Sequence, residues 1–189
     1  MELNQVVIVS AKRTPLGKFM GGLSTVPAPR LGAIAIQGAI DAIGLDVSEI
    51  DEVFMGNVLQ AGVGQSPARQ AAIFSGIPDT VPCTTVNKVC SSGMKTIMMA
   101  AQAIALGDAE VVIAGGMESM SLAPHIVRTR AGIKFGGTQM EDVIQKDGLK
   151  DAFDQVAMGT YADATAIKYS ISRQEQDAFA AESYRRSAA

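Results

Sequence analysis

The sequence has few of the residues on which polar catalysis and stapled scaffolds depend. Its 189 residues include one histidine, two cysteines and no tryptophan, and aromatic residues make up 5%. Cys83 and Cys90 are too few for a disulfide framework, and with His125 alone beside them they cannot form a four-ligand Cys/His zinc site. A mechanism that needs a histidine base has only His125 to draw on within this chain. Excess charge of one sign is missing too. The 16 Lys+Arg and 19 Asp+Glu leave a net charge of −3, which gives no electrostatic reason to expect a nucleic acid or an anionic membrane as partner. Apolar stretches are short and broken by Gly, Lys or Asp, so none is expected to reach the roughly 20 residues of a bilayer span. The start, MELNQVVIVS, has no basic region ahead of an apolar core, as a secretory signal has. Neither G-x-G-x-x-G nor G-x-x-x-x-G-K-[ST] occurs, so nucleotide binding through a phosphate loop is unsupported. The expected location is cytoplasmic.

What is present is a foldable α/β pattern. With 48% hydrophobic and 19% charged residues the chain is too apolar for disorder and long enough for one or two domains with a sizeable core. Short β-rich runs alternate with longer Ala-rich stretches, the pattern of a parallel sheet with crossover helices. VVIVS (6–10), EVFMGNV (52–58), CTTVNKV (83–89) and VVIAGG (111–116) read as strands. Helices are predicted over 30–43, stopped by Gly44, and over 67–75, with Ser66 as N-cap, Pro67 in the first turn and Gly76 past the end. A third helix, 91–106, has almost no polar face and is expected to be buried all round, against a further layer of protein. From about 121 to 151 no period is sustained, which predicts a loop or hairpin excursion. Two helices follow, about 154–169 and from Ser172 onward, the latter opened by a Ser172/Glu175 capping box. No stop signal closes that last helix, so the chain is expected to end within an element.

Chemistry concentrates in VNKVCSSGMK (86–95), where a strand turns through Cys90, Ser91, Ser92 and Gly93 into the apolar helix. This puts Cys90 at a helix N-terminus, where free N–H groups and the positive end of the macrodipole favour a thiolate able to attack an acyl carbonyl. On position alone a second reading stands open, that Cys90 is one more small buried residue. Cys83 lies within a strand after Pro82 and reads as structural.

Four strings carry a resemblance: AKRTPLGKF (11–19), GNVLQAGVGQSPARQAA (56–72), VNKVCSSGMK (86–95) and GGMESMS (115–121). In that order they are similar to the thiolases, and among these to the acetoacetyl-CoA thiolases (acetyl-CoA acetyltransferases). Ketoacyl synthases also place a cysteine before a buried helix, but the wording around Cys90 is thiolase-like. The resemblance implies an α/β, thiolase-like layered fold: an N-terminal βαβ domain with the nucleophile over 1–120, then part of the loop domain, which serves substrate and oligomer contacts, over 121–189. It implies that Cys90 is the nucleophile, taking an acyl group from acyl-CoA as a thioester that a second acetyl-CoA attacks through its α-carbon, or the reverse thiolysis of a 3-ketoacyl-CoA in lipid metabolism. Coenzyme A thioesters are then substrates, with no cofactor and no metal, and the full-length protein is a homodimer or homotetramer. Met158 matches the Met of the family's H-M-G string and is implied to bind substrate, while Ala157 departs from it, so a different acyl pocket is open. The turn TYADATA (160–166) departs from the usual T-A-E-N-V-A.

In the family the activating histidine lies in a G-H-P motif, a second cysteine in C-x-G-G-G, and an oxyanion-hole segment in N-x-N-G-G, all in the C-terminal half. None of these strings occurs here, and His125 in SLAPHIV does not match by motif, which leaves it a surface or oligomer-contact role. Arg128, Arg130 and Lys134 fit tetramer contacts, CoA phosphates or a solvated charge cluster. The expectation is an acyltransferase portion that carries the nucleophile, needs a C-terminal thiolase half for activity and is inactive alone. The alternatives are a non-catalytic thiolase-derived oligomerisation module and a redox-sensing cysteine protein.

Overall fold

The computed structural model describes residues 3–189. They divide into two compact units, Met1–Gly148 and Leu149–Ala189. This division falls later than the boundary after residue 120 read from the sequence, because the excursion is tied back to the first unit. The Ser119 hydroxyl donates to the Val26 carbonyl at 2.8 Å, and the Met20 N–H donates to the Ser121 hydroxyl at 2.9 Å. Val143, fully buried, donates its N–H to the Pro124 carbonyl.

In the first unit β1 (Glu52–Gly56), β2 (Cys83–Val86) and β3 (Val112–Gly116) form a parallel sheet in the order β2-β1-β3, with Met55 opposite Thr85 on one side and Gly115 on the other. The middle strand is buried along nearly its whole length, as a parallel strand covered on both faces must be. Successive residues of a strand face opposite ways. Val53 and Met55 join a core with Ile36 and Ile40 of α1 (Ala28–Asp41) and Ala68, Ala71 and Ala72 of α2 (Pro67–Phe74). Gly56 instead lies under α3 (Ser92–Leu106), so α1 and α2 cover one face of the sheet and α3 the other. Gly76 follows the end of α2 as expected, whereas α1 runs over Ala28–Asp41 and stops two residues before its expected end; both Gly44 and Gly76 lie at positive φ in the turns beyond.

Several sequence expectations fail here for physical reasons. VVIVS is not a strand: among the described residues no neighbouring strand pairs with it, and Val7, Ile8 and Val9 are exposed. Close to it Asn4 donates its N–H and its side-chain amide to the carbonyls of Ala105 and Ile104 at the end of α3. Ser66 does not cap α2 through its side chain, being held in the left-handed region; the Thr85 hydroxyl from β2 accepts the Ala68 N–H instead. Nor is α3 buried all round. Ser92, Thr96 and Ala100 face the sheet, while Met94, Ile97, Met98 and Leu106 are exposed. The stretch Val89–Leu106 also has the length and hydropathy to cross a membrane on those criteria alone, where the sequence reading expected no such run.

The excursion is a hairpin, β4 (His125–Ile126) paired antiparallel with β5 (Glu141–Asp142), followed by a π-helical turn over Ile144–Leu149. The second unit contains α4 (Met158–Lys168) and α5 (Arg173–Ala188), with no buried residue in either helix. α4 starts four residues later than its expected start at Asp154, because 151–156 form a turn in which the Asp151 carboxylate accepts from the N–H groups of Phe153 and Asp154. The capping box is present as read: the Ser172 hydroxyl accepts the Glu175 N–H, and the Glu175 carboxylate accepts the Ser172 N–H.

Candidate functional site

The three parallel strands end at one edge, and the turns that leave them meet there. Ligands of open parallel sheets bind outside the carboxyl ends of the strands, where the chain order reverses. Here β2 and β3 leave β1 in opposite directions, which puts that point beside β1. The Cys90 turn leaves β2 at this edge.

Val89 precedes Cys90 at φ +48°, the left-handed region that a β-branched residue avoids. The Asn87 Oδ1 accepts the Val89 N–H at 2.9 Å, and the Ser92 hydroxyl accepts the Lys88 N–H at 2.9 Å while donating to the Val89 carbonyl. Cys90 itself is exposed and free. It stands one residue before the N-cap of α3, Ser91, which places its thiol at the positive end of a 15-residue helix. α3 can come this close to the sheet only because Gly56 has no side chain. A Cβ on Gly56 would lie 2.7 Å from the Ser92 Cβ and 2.8 Å from its carbonyl carbon, and Gly93 sits over Gly116. The Thr96 hydroxyl then lies 2.7 Å from the Gly93 carbonyl and 2.8 Å from that of Gly115, locking the first turn of α3 to β3.

Behind the turn lies a polar cluster that the sequence reading did not single out. Glu118, just past β3, accepts from the Asn57 amide at 2.9 Å with one carboxylate oxygen and from the N–H groups of Val58 and Leu59 at 2.9 and 3.3 Å with the other. Asn57 is 1% exposed, donates also to the Met117 carbonyl, and among the described residues its Oδ1 has no hydrogen-bond partner. Both residues sit inside strings quoted above, GNVLQ and GGMESMS. The available signal was their shared place directly after buried strands.

The remaining candidates are dispersed. Cys83 is half-buried in β2, its thiol donates to the Val81 carbonyl, and burial pushes that thiol up from its ordinary range, which disfavours the thiolate. His125 is exposed on β4, and Arg128, Arg130 and Lys134 lie exposed in the excursion. Met158 opens α4 in the second unit and is 42% exposed. Among the described residues no three His, Cys, Asp or Glu side chains converge as a metal site.

The model for the N-terminal domain of thiolases matches residues 6–189. The chain belongs to the thiolase family. It is 58% identical over 182 residues to the mitochondrial acetyl-CoA acetyltransferase of Danio rerio, which covers 96% of this chain and 43% of that protein. The mitochondrial acetyl-CoA acetyltransferase of Homo sapiens is 54% identical over 187 residues, covering 99% and 44%. A thiolase from Ascaris suum, solved in complex with coenzyme A, superposes with a TM-score of 0.89 at 47% identity, covering 93% of this chain and 46% of that one. The chain thus spans less than half the length of the relatives it matches. The thiolase-like α/β fold expected from the sequence is confirmed over that span. The cytoplasmic location is not: the curated relatives at 53–58% identity are mitochondrial enzymes, and the absence of a recognisable leader in MELNQVVIVS carries no weight against that.

Proposed function

We propose that the chain provides the nucleophilic part of a thiolase-type acetyl-CoA acetyltransferase, with Cys90 as the residue that carries the acyl group. The observation that supports this most is the exposed Cys90 thiol, held after a left-handed Val89 at the head of α3 in a chain matched to the thiolase family from residue 6 onward. The Cys90 thiolate attacks the carbonyl carbon of an acyl-CoA, a carbon–sulfur bond forms, and coenzyme A leaves as its thiol after taking a proton. A second acetyl-CoA then gives up an α-proton to a base, and its carbanion attacks the Cys90 thioester. A carbon–carbon bond forms, Cys90 is released, and acetoacetyl-CoA results; thiolysis runs the same steps backwards. The backbone N–H of Cys90 donates to the oxyanion of the first addition, aided by the α3 dipole. Coenzyme A thioesters enter as substrates and no cofactor takes part.

Met158 is assigned to the substrate end of the site, with Ala157 beside it favouring a pocket of different shape from that of the H-M-G enzymes. Cys90 needs a base, and the exposed His125 does not match the family's activating motif, so the base and the second oxyanion donor come from a C-terminal thiolase half. The working enzyme is a homodimer or homotetramer of complete subunits. In the test, acetoacetyl-CoA cleavage is measured for the 189-residue chain alone and after co-expression with the C-terminal half of the Danio rerio relative. The expected result is no turnover alone and turnover together, abolished by Cys90→Ser. Cleavage that survives Cys90→Ser overturns the nucleophile, and cleavage by the chain alone overturns the need for a partner half.

The exposed apolar side of α3 supports a second reading, a thiolase-derived module that acts by association. Partnered material that stays without turnover, while the chain forms defined oligomers in gel filtration, favours it.

A further inference from the structure

The Cys90 turn rests on a carboxylate that does not touch it. Val89 is β-branched and left-handed, a conformation that persists only where surrounding groups impose it. Two side chains hold it: Asn87, whose Oδ1 takes the Val89 N–H, and Ser92, whose hydroxyl bridges the Lys88 N–H and the Val89 carbonyl. Asn87 in turn is placed from the 57–59 segment: its Nδ2 donates to the Val58 carbonyl at 3.4 Å, and the Asn57 N–H donates to the carbonyl of Val86, next to it in the chain, at 3.1 Å. That segment is held by Glu118. Its two oxygens accept the Asn57 amide and the N–H groups of Val58 and Leu59, so three donors of one short segment converge on one side chain. A neutral amide cannot do the same, because its nitrogen would face a donor on one side or the other.

Asn57 is the second sign that this cluster is built for position. It is buried, gives both amide hydrogens away, to Met117 and Glu118, and finds no donor for its Oδ1 among the described residues. A buried acceptor without a donor disfavours folding. An apolar residue of similar size would avoid that cost and would lose the link to Glu118.

We infer that Glu118 is a positioning residue for Cys90, acting through the 57–59 segment and Asn87 to hold the left-handed Val89 turn. Its importance for acyl transfer rests on the reading of Cys90 as the nucleophile; its effect on the Cys90 thiol does not. The test is therefore made on thiol reactivity. Iodoacetamide modification of the 189-residue chain is followed by peptide mass spectrometry from neutral to alkaline pH, with Cys83 as internal reference and thermal unfolding measured alongside. Glu118→Gln is expected to slow Cys90 modification roughly tenfold and to move its pH profile, since alkylation follows the access of the thiol and its place at the head of α3. Cys83 modification is expected to stay at the parent rate, and unfolding to remain a single transition at a lowered midpoint, since a donor of the 57–59 segment loses its acceptor. Asn87→Ala, at an exposed position, is expected to shift Cys90 in the same direction and carries the test if Glu118→Gln does not fold. A Cys90 profile within about twofold of the parent in the folded variants overturns the inference, as does a change in the Cys83 rate as large as that in Cys90. Turnover that survives Cys90→Ser in the partnered enzyme overturns the catalytic reading instead and leaves the reactivity result standing.

Discussion

The two units of this chain are stabilised by different means. The first has a core in which Ile36 of α1, Val53 and Met55 of β1, and Ala68 and Ala71 of α2 are all but inaccessible. In the second, neither helix buries a residue, and α5 is held by contacts within itself: the Ser172/Glu175 box and the pairs Arg173–Asp177, Arg185–Glu182 and Arg186–Glu182. Order in the first unit comes from tertiary burial, which is cooperative; order in α5 comes from capping and neighbouring charges, each a small local contribution. The Cys90 turn belongs to the first kind. Its strained Val89 is affordable because the elements on either side, β2 and α3, are fixed to the sheet.

Removing a core side chain gives the largest contrast between the units. Met55 is 2% exposed and packs against both α1 and β3, close to Gly32 and Gly115. Met55→Ala is expected to cost about 2–5 kcal/mol in urea unfolding of the first unit. The α5 signals, followed residue by residue in NMR spectra, should keep their helical shifts at urea concentrations where the sheet has melted. Simultaneous loss of both would show that the two kinds of order are coupled.

What could be read from the sequence follows the same division. Local signals were legible: the capping box at Ser172, the stop before Gly76, and the strands Glu52–Gly56, Cys83–Val86 and Val112–Gly116 inside apolar runs. Cys90 was legible because its strand-to-helix corner is a contiguous string. Features that depend on distant partners were not. VVIVS has the composition of a strand but no neighbour to pair with among the described residues, and a helix as apolar as α3 does not announce which of its faces is covered. Ser66 has a capping side chain, yet its left-handed backbone sends that role to Thr85 on another element. Glu118 is separated from Asn57 by 61 positions, so the place of each after a strand was legible while their bond, a property of strand order, was not.

A smaller effect tests α5 alone. Ser172→Ala removes the oxygen that accepts the Glu175 N–H and is expected to destabilise the helix by about 1 kcal/mol. Hydrogen exchange should quicken across the first turns of α5, while the urea midpoint of the first unit stays where it was. A matching drop in that midpoint would mean that α5 contributes to the core unit after all.

The smallest and most diagnostic effect is a response to acid. In α5 three carboxyls are held below the usual carboxylate range: Glu175 by the Ser172 N–H and then its hydroxyl, Asp177 by the Arg173 guanidinium, and Glu182 by Arg185 and then Arg186. A carboxyl lowered in the folded state binds fewer protons there than in the unfolded chain. Its contribution is complete above the ordinary value and is lost as pH falls through the lowered one. All three act in the same direction, so α5 should lose helicity on acidification. At the start of β1 the shifts oppose each other. Asp51 is lowered by the N–H groups of Val111 and Glu110, whereas Glu52 is raised by burial and by the nearby Asp108 charge. Protonation removes the Asp51 contribution and relieves the cost carried by Glu52, and the strand should respond weakly. Helical shifts of α5 that collapse at a higher pH than the β1 shifts, with the gap narrowing at high salt as exposed pairs are screened, are the expected outcome. Loss of both at one pH would instead place the acid sensitivity of α5 in a transition of the whole chain.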